Sequence, residues 1–560
     1  MLDKFKSKEF LEEYRTLPKY EYIRNGYKKL YEEHNIVPMP ILFSKLRKFS
    51  EAGERGEYEV VFNQHINKLQ LCAYMAIFYE DKKYLEELED CIYDVLNMYV
   101  WALSAHIPDI NEENYYELDL ASCAIGSTFA VIYYLIGDRL HPQLRKRIVT
   151  ELRRRILEPF KKEAWHWEDR YNNWTSVCAG FTGITLMLMF PEEFDKLLPR
   201  FELNMEKYFK GFPDDGVCLE GPGYWGYGFV SFIVYAMLLK EYTNGKIDYF
   251  KLEKTKKIAM FYQNTMLSKD VITSYGDCPT DVKTNALLLH ALKNIYGDEF
   301  IMPTKVRHED FPYSPIIHIL YYIENYNSAN ADGDELGPYE NYMENAGWYI
   351  KRTSKYAIGA KGGTNGESHN HNDVGSFVFC KDNYQVLIDM GGRPYTKDYF
   401  TEARYNYLEP SSRGHNVPII NGQYQANIRE TRSYTKFENG VFSVDFRELY
   451  DIKELKKLIR HYDCRESSVI ITDEFNIEGN GSFISRLVSF DEPTIRNGEI
   501  LVGGIKILFD KELANASYSS EVHAIREDAS RGTIDTCLAY LINIEAIYPE
   551  KGKLVITIKA

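Results

Sequence analysis

Two closely spaced histidines, with an aspartate and a third histidine downstream, give residues 366–416 the means to hold a metal ion. His369 and His371 are two positions apart, so in an extended segment both side chains point to the same side. Asp389 ends the next apolar stretch, and His415 follows Ser-Ser-Arg-Gly. Imidazole and carboxylate groups are zinc ligands in proteins. Because these residues lie far apart in sequence, they fit equally well a zinc site or histidines hydrogen-bonded within a sheet.

A glycine-rich segment over residues 213–228 offers acid–base and stacking groups. Its glycines, prolines and clustered aromatic residues predict an exposed loop just before a helix. Tyr224 could transfer a proton or stack on a sugar, with Glu220, Trp225 and Tyr227 beside it as substrate-binding candidates. The alternative is a turn that is packed by its own aromatic rings.

Two adjacent asparagines, Asn172 and Asn173, open an amphipathic helix. Asparagine at this position most often caps the helix. An amide here could instead donate a hydrogen bond to the carboxylate of a substrate.

Up to about residue 330 the hydrophobic pattern is helical. Leu144, Ile148, Leu152 and Ile156 recur every four residues, with arginine and lysine at many positions between them. Short breaks rich in Pro, Gly, Asp and Asn separate such segments. This pattern predicts helical hairpins stacked in a ring or a solenoid. The other helical segments are residues 67–79, 84–100, 116–135, 174–189 and 229–239.

Beyond about residue 340 the pattern changes to short strands rich in β-branched and aromatic residues. Asn-Gly pairs at positions 421, 439 and 497 are typical of hairpin turns. An antiparallel β-sandwich is therefore expected, with the polar residues 325–339 as the linker before it. The predicted strands are residues 376–380, 384–388, 440–446, 468–471, 482–490 and 554–558.

Composition limits the class of protein. A chain of 560 residues exceeds one ordinary core, so two or more domains are expected. The net charge of −15 disfavours a nucleic-acid binder, and the even spread of charge indicates no partner surface. The charged first ten residues suggest no secretion signal, and the apolar run at 180–190 is too short to cross a membrane. Nine scattered cysteines without CxxC pairs favour a reducing compartment, so a cytoplasmic protein without membrane contact is expected.

Taken in order over residues 170–425, these segments resemble the heparinase II/III-like polysaccharide lyases, a family that includes heparinases and oligoalginate lyases. The resemblance rests on Asn-Asn-Trp at 172–174, Asp-Gly…Glu-Gly-Pro…Tyr at 215–224, His-x-His-x-Asp-x-Gly-Ser-Phe at 369–377, Ile-Asp at 388–389, Arg-Tyr at 404–405, and Ser412 with His-Asn at 415–416.

The resemblance implies an α+β multidomain fold, with an (α/α) toroid over residues 1–330 followed by an antiparallel β-sandwich over residues 340–560. It implies a zinc ion that braces the site, held by His371, Asp389 and His415, while His369 faces the substrate. Tyr224 matches the family's tyrosine, and Asn173 or Asn172 matches the position that neutralises the substrate carboxylate.

The chain departs from the family pattern at two positions. Several relatives carry a histidine beside the asparagine, where this chain has a second asparagine. Oligoalginate lyases tend to have an arginine where this chain has Gly226, which disfavours alginate as the substrate.

The implied activity is β-elimination on an acidic, uronic-acid-containing oligosaccharide, which leaves a 4,5-unsaturated uronate. Donors must stabilise the charge that develops on the carboxylate, while a base takes the C5 proton and an acid protonates the leaving oxygen. Tyr224 is the candidate acid; Tyr224 itself, His369 or Tyr405 is the candidate base, and Arg404 is a candidate substrate-binding group that could lower a tyrosine pKa.

Two other classes of function stay open at this point. Helical toroids also host glycoside hydrolases that use paired carboxylates, for which Asp214, Asp215, Glu220 and Glu367 are available. A non-catalytic oligosaccharide-binding protein is the second alternative.

Overall fold

The computed structural model describes residues 2–34, 36–107, 109–111, 115–280, 285–303, 314–327, 333–428, 430–479, 481–528, 533–548 and 551–560. The chain divides into two compact units, neither of which is one continuous stretch. The helical unit comprises Met1–Gly211, Trp225–Lys256 and Lys283–Asp332. The β unit comprises Phe212–Tyr224, Lys257–Val282 and Gly333–Ala560.

The α-helices occupy the first 330 residues, as the hydrophobic pattern predicts. Along the chain they are α1 (Lys8–Thr16), α2 (Glu21–His34), α3 (Phe43–Leu46), α4 (Lys48–Ala52), α5 (Gly56–Phe78), α6 (Lys82–Leu96), α7 (Leu120–Ile136), α8 (Pro142–Leu152), α9 (Glu158–Lys162), α10 (Asn173–Met189), α11 (Pro191–Lys210), α12 (Pro222–Tyr242), α13 (Glu253–Thr265), α14 (Ala286–Tyr296) and α15 (Ile316–Asn325).

Consecutive helices of the helical unit pack as hairpins, and the hairpins form a ring. Helix α5 packs on α6, α7 on α8, α10 on α11, and α14 on α15. Helix α15 also packs on α5, so the last hairpin returns to an early one. Helices α7 and α10 are buried on almost every side, whereas α6 buries a single stripe that includes Leu88, Ile92 and Val95. A helix buried all round belongs to an inner layer and an amphipathic helix to an outer one.

One inner helix is apolar and long enough to cross a membrane. Among the described residues this is the helix Leu120–Arg139, by the length and composition of its most apolar window alone. In the structure 72% of that window is buried inside the protein, which is typical of an inner-layer helix.

In the described part of the chain, the β unit contains three antiparallel sheets. Their orders are β1-β2-β3-β4-β5, β12-β13-β14-β17-β10-β9-β8-β7 and β15-β16-β11-β6. The strands are β1 (Tyr339–Met343), β2 (Trp348–Arg352), β3 (Ala357–Lys361), β4 (Phe377–Lys381), β5 (Tyr384–Leu387), β6 (Pro418–Ile420), β7 (Tyr434–Glu438), β8 (Val441–Asp445), β9 (Leu455–Cys464), β10 (Ser468–Ile477), β11 (Phe483–Ser489), β12 (Thr494–Arg496), β13 (Glu499–Val502), β14 (Ile505–Phe509), β15 (Ala514–Asp528), β16 (Thr533–Ala546) and β17 (Lys551–Lys559).

Alternation along the strands builds the core of the β unit. Strand β10 alternates between buried and half-buried side chains over its whole length, as period-two geometry requires. Its inward residues join one cluster with side chains of the other two sheets, such as Phe379 and Ile542. The turn between β7 and β8 is Asn439-Gly440, with φ of 52° and 78°. Two successive positive φ values are characteristic of the type I′ hairpin turn that Asn-Gly predicts.

The succession of a helical half and an antiparallel β half, predicted from sequence, is confirmed. Two segments depart from the predicted division at about residue 330. Residues 212–224 and 257–282 belong to the β unit although they lie among the helices in sequence. The long hairpin of β15 and β16 was not predicted, since its many serine and charged residues dilute the strand pattern. Part of the predicted linker, residues 328–332, lies outside the described residues.

Candidate active site

His371, Asp389 and His415 form a compact group in the β unit, here called the metal-ligand trio. Their potential ligand atoms all lie within 4.8 Å of one another. His371 lies in the loop before β4, Asp389 follows β5, and His415 precedes β6. The three side chains are completely buried. Three strand ends thus converge where the sequence predicted a metal.

The hydrogen bonds of the trio orient it for a cation. Nε2 of His371 bonds to Oδ1 of Asp277 at 3.0 Å, and Nε2 of His415 donates to a backbone carbonyl at 2.7 Å. Oδ1 of Asp389 accepts a backbone N–H at 3.0 Å. Nδ1 of each histidine and Oδ2 of Asp389 are buried and bond to no group outside the trio among the described residues, and Nδ1 of His415 lies 3.2 Å from Oδ2 of Asp389. Histidines that donate from one nitrogen present a lone pair on the other, so these residues fit a zinc ion.

A second group of side chains surrounds the hydroxyl of Tyr224. The Tyr224 hydroxyl lies 3.1 Å from Nδ1 of His369, and the two rings stack with centroids 4.1 Å apart. The hydroxyls of Tyr224 and Tyr395 share a hydrogen bond. Tyr395 also lies 3.3 Å from the same histidine nitrogen. Two phenols and one imidazole therefore meet at a single point.

Asp277 connects this group to the metal-ligand trio. Its Oδ2 lies 3.0 Å from Nδ1 of His369 and accepts the hydroxyl of Tyr395 at 3.0 Å. Its Oδ1 bonds to His371 and accepts the hydroxyl of Tyr399 at 2.5 Å. The carboxylate has no exposed surface. We call Tyr224, His369, Tyr395 and Asp277 the Tyr224 cluster.

The backbone at this point is close-packed. His369 has a φ of +54°, a left-handed conformation that costs free energy for a residue other than glycine. Its carbonyl oxygen accepts the N–H of Asp277 at 3.1 Å. Gly276 has a φ of +68°, and a Cβ placed there would come 2.8 Å from that carbonyl oxygen. Only glycine allows the segment of Asp277 to approach the segment of His369 so closely.

Burial and charge set the ionisation of the Tyr224 cluster. Burial alone would raise the pKa of Asp277, but hydrogen bonds with His369 and His371 outweigh it and hold that pKa well below its ordinary value. Burial raises the pKa of Tyr224 above its ordinary value, and although the bond with Tyr395 opposes this, the charge of Asp277 adds to it. Burial and the Asp277 charge also raise the pKa of Tyr395. At neutral pH the cluster therefore holds one carboxylate and two protonated phenols.

Arg404 lies on the trio side of Asp277. Its Nη2 lies 3.4 Å from Oδ1 of Asp277 and donates to the carbonyl oxygen of Asn370 at 3.0 Å. The guanidinium lies over the ring of Tyr399, 4.5 Å from its centroid, and 5.6 Å from that of Tyr405. Arg404 thus contributes positive charge to the site while it fixes the neighbouring loop.

Comparison with known proteins identifies the C-terminal part. Residues 336–488 match the family model "Heparinase II/III-like, C-terminal". These residues are similar to the C-terminal part of the heparinase II/III-like proteins. No curated protein sequence matches the chain significantly.

Solved structures share the fold of the whole chain at low sequence identity. Heparinase III matches with a TM-score of 0.62 and 14% identity over 100% of this chain and 91% of its own. The heparan sulfate lyase HepC mutant from Pedobacter heparinus gives 0.60 and 12% over 98% and 90%. A chondroitin AC lyase from Streptomyces coelicolor A3, in complex with chondroitin sulphate, gives 0.53 and 10% over 96% and 82%. The predicted fold class, a helical N-terminal part followed by antiparallel sheets, is confirmed, because the whole chain shares the fold of these solved structures.

The residues that match the family model contribute most, but not all, of the site. His369, Tyr395 and the metal-ligand trio lie within the matched residues 336–488. Tyr224 and Asp277 precede them in sequence, and both belong to the β unit.

Asn172 and Asn173 belong to the helical unit. Asn172 is the N-cap of α10, and its side-chain oxygen accepts the N–H of Trp174 at 3.2 Å, so the predicted capping is confirmed. Asn173 begins the helix and is nearly buried. Their role toward a substrate carboxylate stays a prediction.

The structure contradicts the substrate-binding role predicted for Trp225. Its side chain has no exposed surface, and its ring stacks on Phe229 with centroids 5.6 Å apart. The predicted loop is in fact helical from Pro222, and successive helix residues project about 100° apart, which turns Trp225 inward. Tyr227 is 46% exposed, and Glu220 is nearly buried; their predicted roles stay predictions.

Sequence reasoning missed Asp277, Tyr395 and Tyr399. Tyr395, rather than the predicted Tyr405, is the second phenol in contact with Tyr224. One pattern pointed toward Asp277: residues 271–275, Val-Ile-Thr-Ser-Tyr, form a β-branched stretch that ends in Gly-Asp inside an otherwise helical half. A short extended segment followed by Gly-Asp favours a turn that presents the carboxylate.

Proposed function

We propose that this protein is a polysaccharide lyase that cleaves uronic-acid-containing glycans by β-elimination and leaves a 4,5-unsaturated uronate. The family domain and the fold support the lyase class. The single observation that carries the chemistry is the contact of the Tyr224 hydroxyl with Nδ1 of His369, beside the buried carboxylate of Asp277.

His369 is the proposed base. Asp277 is ionised, so it accepts the proton on Nδ1 of His369 and leaves the lone pair on Nε2. Among the described residues no hydrogen bond to Nε2 is found, and the side chain of His369 is 25% exposed. A partly exposed, unprotonated nitrogen can take the C5 proton, and the adjacent carboxylate stabilises the imidazolium that results.

Tyr224 is the proposed acid. Its raised pKa keeps the phenol protonated, which suits an acid and disfavours the alternative in which Tyr224 is the base. As the bond between C4 and its oxygen breaks, the phenol proton passes to the leaving oxygen and the C4–C5 double bond forms. The phenolate that remains lies beside the imidazolium of His369, whose positive charge stabilises it.

The charge on the substrate carboxylate requires further donors. Abstraction of the C5 proton adds negative charge to a group that is already an anion, so preorganised donors lower the barrier. Asn173, with Asn172 beside it, is the group that we propose for this role. Arg404 is the cation next to the cluster and could assist.

A hydrolase would need two carboxyl groups that are free to act as acid and base. The carboxylate of the cluster is Asp277, which is buried and bonded on both oxygens. Of the carboxylates that the sequence offered, Asp215 accepts backbone N–H groups of Ala346 and Val217. The groups that meet at the cluster are phenols and an imidazole, and they favour a lyase over a hydrolase with paired carboxylates.

A zinc ion is proposed at the metal-ligand trio. His371, Asp389 and His415 would hold it through Nδ1, Oδ2 and Nδ1. When bound, the ion would tie together the three strand ends and take no part in proton transfer.

The proposed substrate is an acidic oligosaccharide. The named neighbours are a heparan sulfate lyase, heparinase III and a chondroitin AC lyase with chondroitin sulphate, which supports a glycosaminoglycan-like glycan. We keep a cytoplasmic location as a proposal, and the free thiols of all nine cysteines support it.

The test is the ultraviolet absorbance of a conjugated unsaturated uronate, followed during incubation with a panel of uronate oligosaccharides. Absorbance should rise with at least one substrate. Tyr224→Phe should lower kcat by about 100- to 10,000-fold, because it removes only the acidic proton. Tyr384→Phe is the matched control, since Tyr384 is an exposed tyrosine on β5.

If new reducing ends formed without a rise in ultraviolet absorbance, the protein would be a hydrolase and the lyase proposal would be wrong. A Tyr224→Phe variant with near-normal kcat would overturn the assignment of the acid. Binding of an oligosaccharide without any turnover would favour the non-catalytic alternative.

A further inference from the structure

We propose that Asp277 is a positioning residue that couples the metal-ligand trio to the acid–base pair of His369 and Tyr224. The effect of Asp277 on the acid–base pair rests on the proposed lyase function. Its effect on the metal-ligand trio does not. The resemblance to the family implied no role for this residue.

The two oxygens of Asp277 serve different halves of the site. Oδ1 bonds to His371, a member of the trio, at 3.0 Å and to Tyr399 at 2.5 Å. Oδ2 bonds to His369 at 3.0 Å and to Tyr395 at 3.0 Å. Ionised carboxylates have about four acceptor sites, and these four donors fill them.

Both histidines depend on the carboxylate for the position of their proton. A metal-binding Nδ1 on His371 requires the proton on Nε2, which is the atom that faces Oδ1. A basic Nε2 on His369 requires the proton on Nδ1, which is the atom that faces Oδ2. Only a group that accepts on both sides satisfies the two requirements together.

An ordinary ion pair with Arg404 does not explain this arrangement. The guanidinium lies 3.4 Å from Oδ1, farther than any of the four other donors. Burial is complete, so the carboxylate is not stabilised by water. The N–H of Asp277 also bonds to the backbone of His369 at 3.1 Å, which fixes the distance between the two segments.

Asparagine at this position tests the proposal, because an amide accepts on one side and donates on the other. If its NH2 faces His369, the proton of that ring moves to Nε2 and the base is lost. If its NH2 faces His371, the proton moves to Nδ1 and the metal ligand is lost. Asp277→Asn therefore cannot keep both functions.

The experiment uses the full chain with ¹⁵N-labelled histidine. Nitrogen shifts report which ring atom carries the proton, and competition with a chromophoric chelator reports zinc affinity. In Asp277→Asn at least one of the two histidines should change tautomer. Zinc affinity should fall by about 10- to 100-fold, or kcat should fall by about 100- to 10,000-fold with little change in KM.

Asp373→Asn is the matched control. Asp373 is as buried as Asp277 and lies in the loop of His369 and His371. Its carboxylate accepts hydrogen bonds from Nζ of Lys361 at 2.8 and 3.0 Å and does not bond to either histidine. This variant should lose stability while it keeps the tautomers of His369 and His371. The same tautomer change in both variants would indicate general loosening of the loop and would overturn the proposal.

The wild-type chain provides a test that does not depend on folding of a variant. Removal of zinc by a chelator should shift the ring signals of His369, although His369 is not a ligand. The coupling would be overturned if the ring signals of His369 did not change when zinc is removed. It would also be overturned if the histidine tautomers and the zinc affinity of Asp277→Asn equalled those of wild type. These readouts need no turnover, so their failure is distinct from failure of the lyase assignment.

Discussion

Removal of the metal from the trio should lower the melting temperature of the β unit by about 5–10 °C. Nδ1 of His371, Nδ1 of His415 and Oδ2 of Asp389 are buried in the trio and bond to no group outside it among the described residues, and a cation would bind all three. A ligand at 100 times its Kd stabilises the folded state by about 2.7 kcal/mol. For a domain of about 150–250 residues, each kcal/mol corresponds to about 2–4 °C.

Calorimetry of the full chain, with and without chelator, measures this shift, and elemental analysis gives the metal content. His371→Ala should abolish bound metal, and its melting temperature should no longer respond to chelator. His523→Gln is the control, because His523 is a buried histidine that bonds to Glu409 and not to the trio. Wild-type protein without stoichiometric metal after growth in zinc, or equal effects of both variants, would refute the reasoning.

Three further predictions concern stability. The pKa of Glu117 is raised to about 7, mainly by burial, so folded protein loses stability as pH rises from about 4.5 to about 7. At pH 8, Glu117→Gln should therefore be more stable than wild type by about 1–2 kcal/mol, a value that allows for solvent screening of this half-buried group. At pH 4 the variant should show no such gain. Urea unfolding at the two pH values measures the difference. Gly391→Ala should cost at least about 2 kcal/mol in the same assay, because φ is +68° and the new Cβ would lie 2.1 Å from the carbonyl oxygen of Cys278. Gly422→Ala, also at positive φ but with open space around it, should cost less. Arg460→Met should cost about 3–5 kcal/mol in thermal unfolding, since it leaves a buried carboxylate unpaired.

Local patterns in the sequence determined the two halves of the chain and much of the site. A four-residue apolar repeat requires one buried face per helix, and alternation requires one buried face per strand, so each unit follows from its own periodicity. His371 and Asp389 could be placed near each other because His371 lies in the loop before β4 and Asp389 follows β5, the hairpin partner of β4. Tyr224 stood out because its glycine-rich surroundings are unusual for a core segment.

The other residues of the site could not be predicted, because they lie far from His369 and Tyr224 in sequence or resemble many other residues. Asp277 lies 92 positions before His369, in a half of the chain whose pattern is helical, and the residues around it carry no other chemical group that singles it out. Tyr395 is one of 45 tyrosines, and its type and neighbours do not distinguish it from Tyr405. Trp225 follows Tyr224 directly, yet helix geometry buries it.

The sequence alone determined the division into a helical and an extended half, most of their elements, and the residue types available for chemistry, because these depend on neighbours within a few positions. Tertiary structure decided which of those residues meet. The carboxylate of Asp277 reaches His369 and His371 because the stretch that follows helix α13 packs in the β unit. That choice depends on the burial of side chains that are remote in sequence, and the β-branched stretch 271–275 marks an extended segment without specifying its partners.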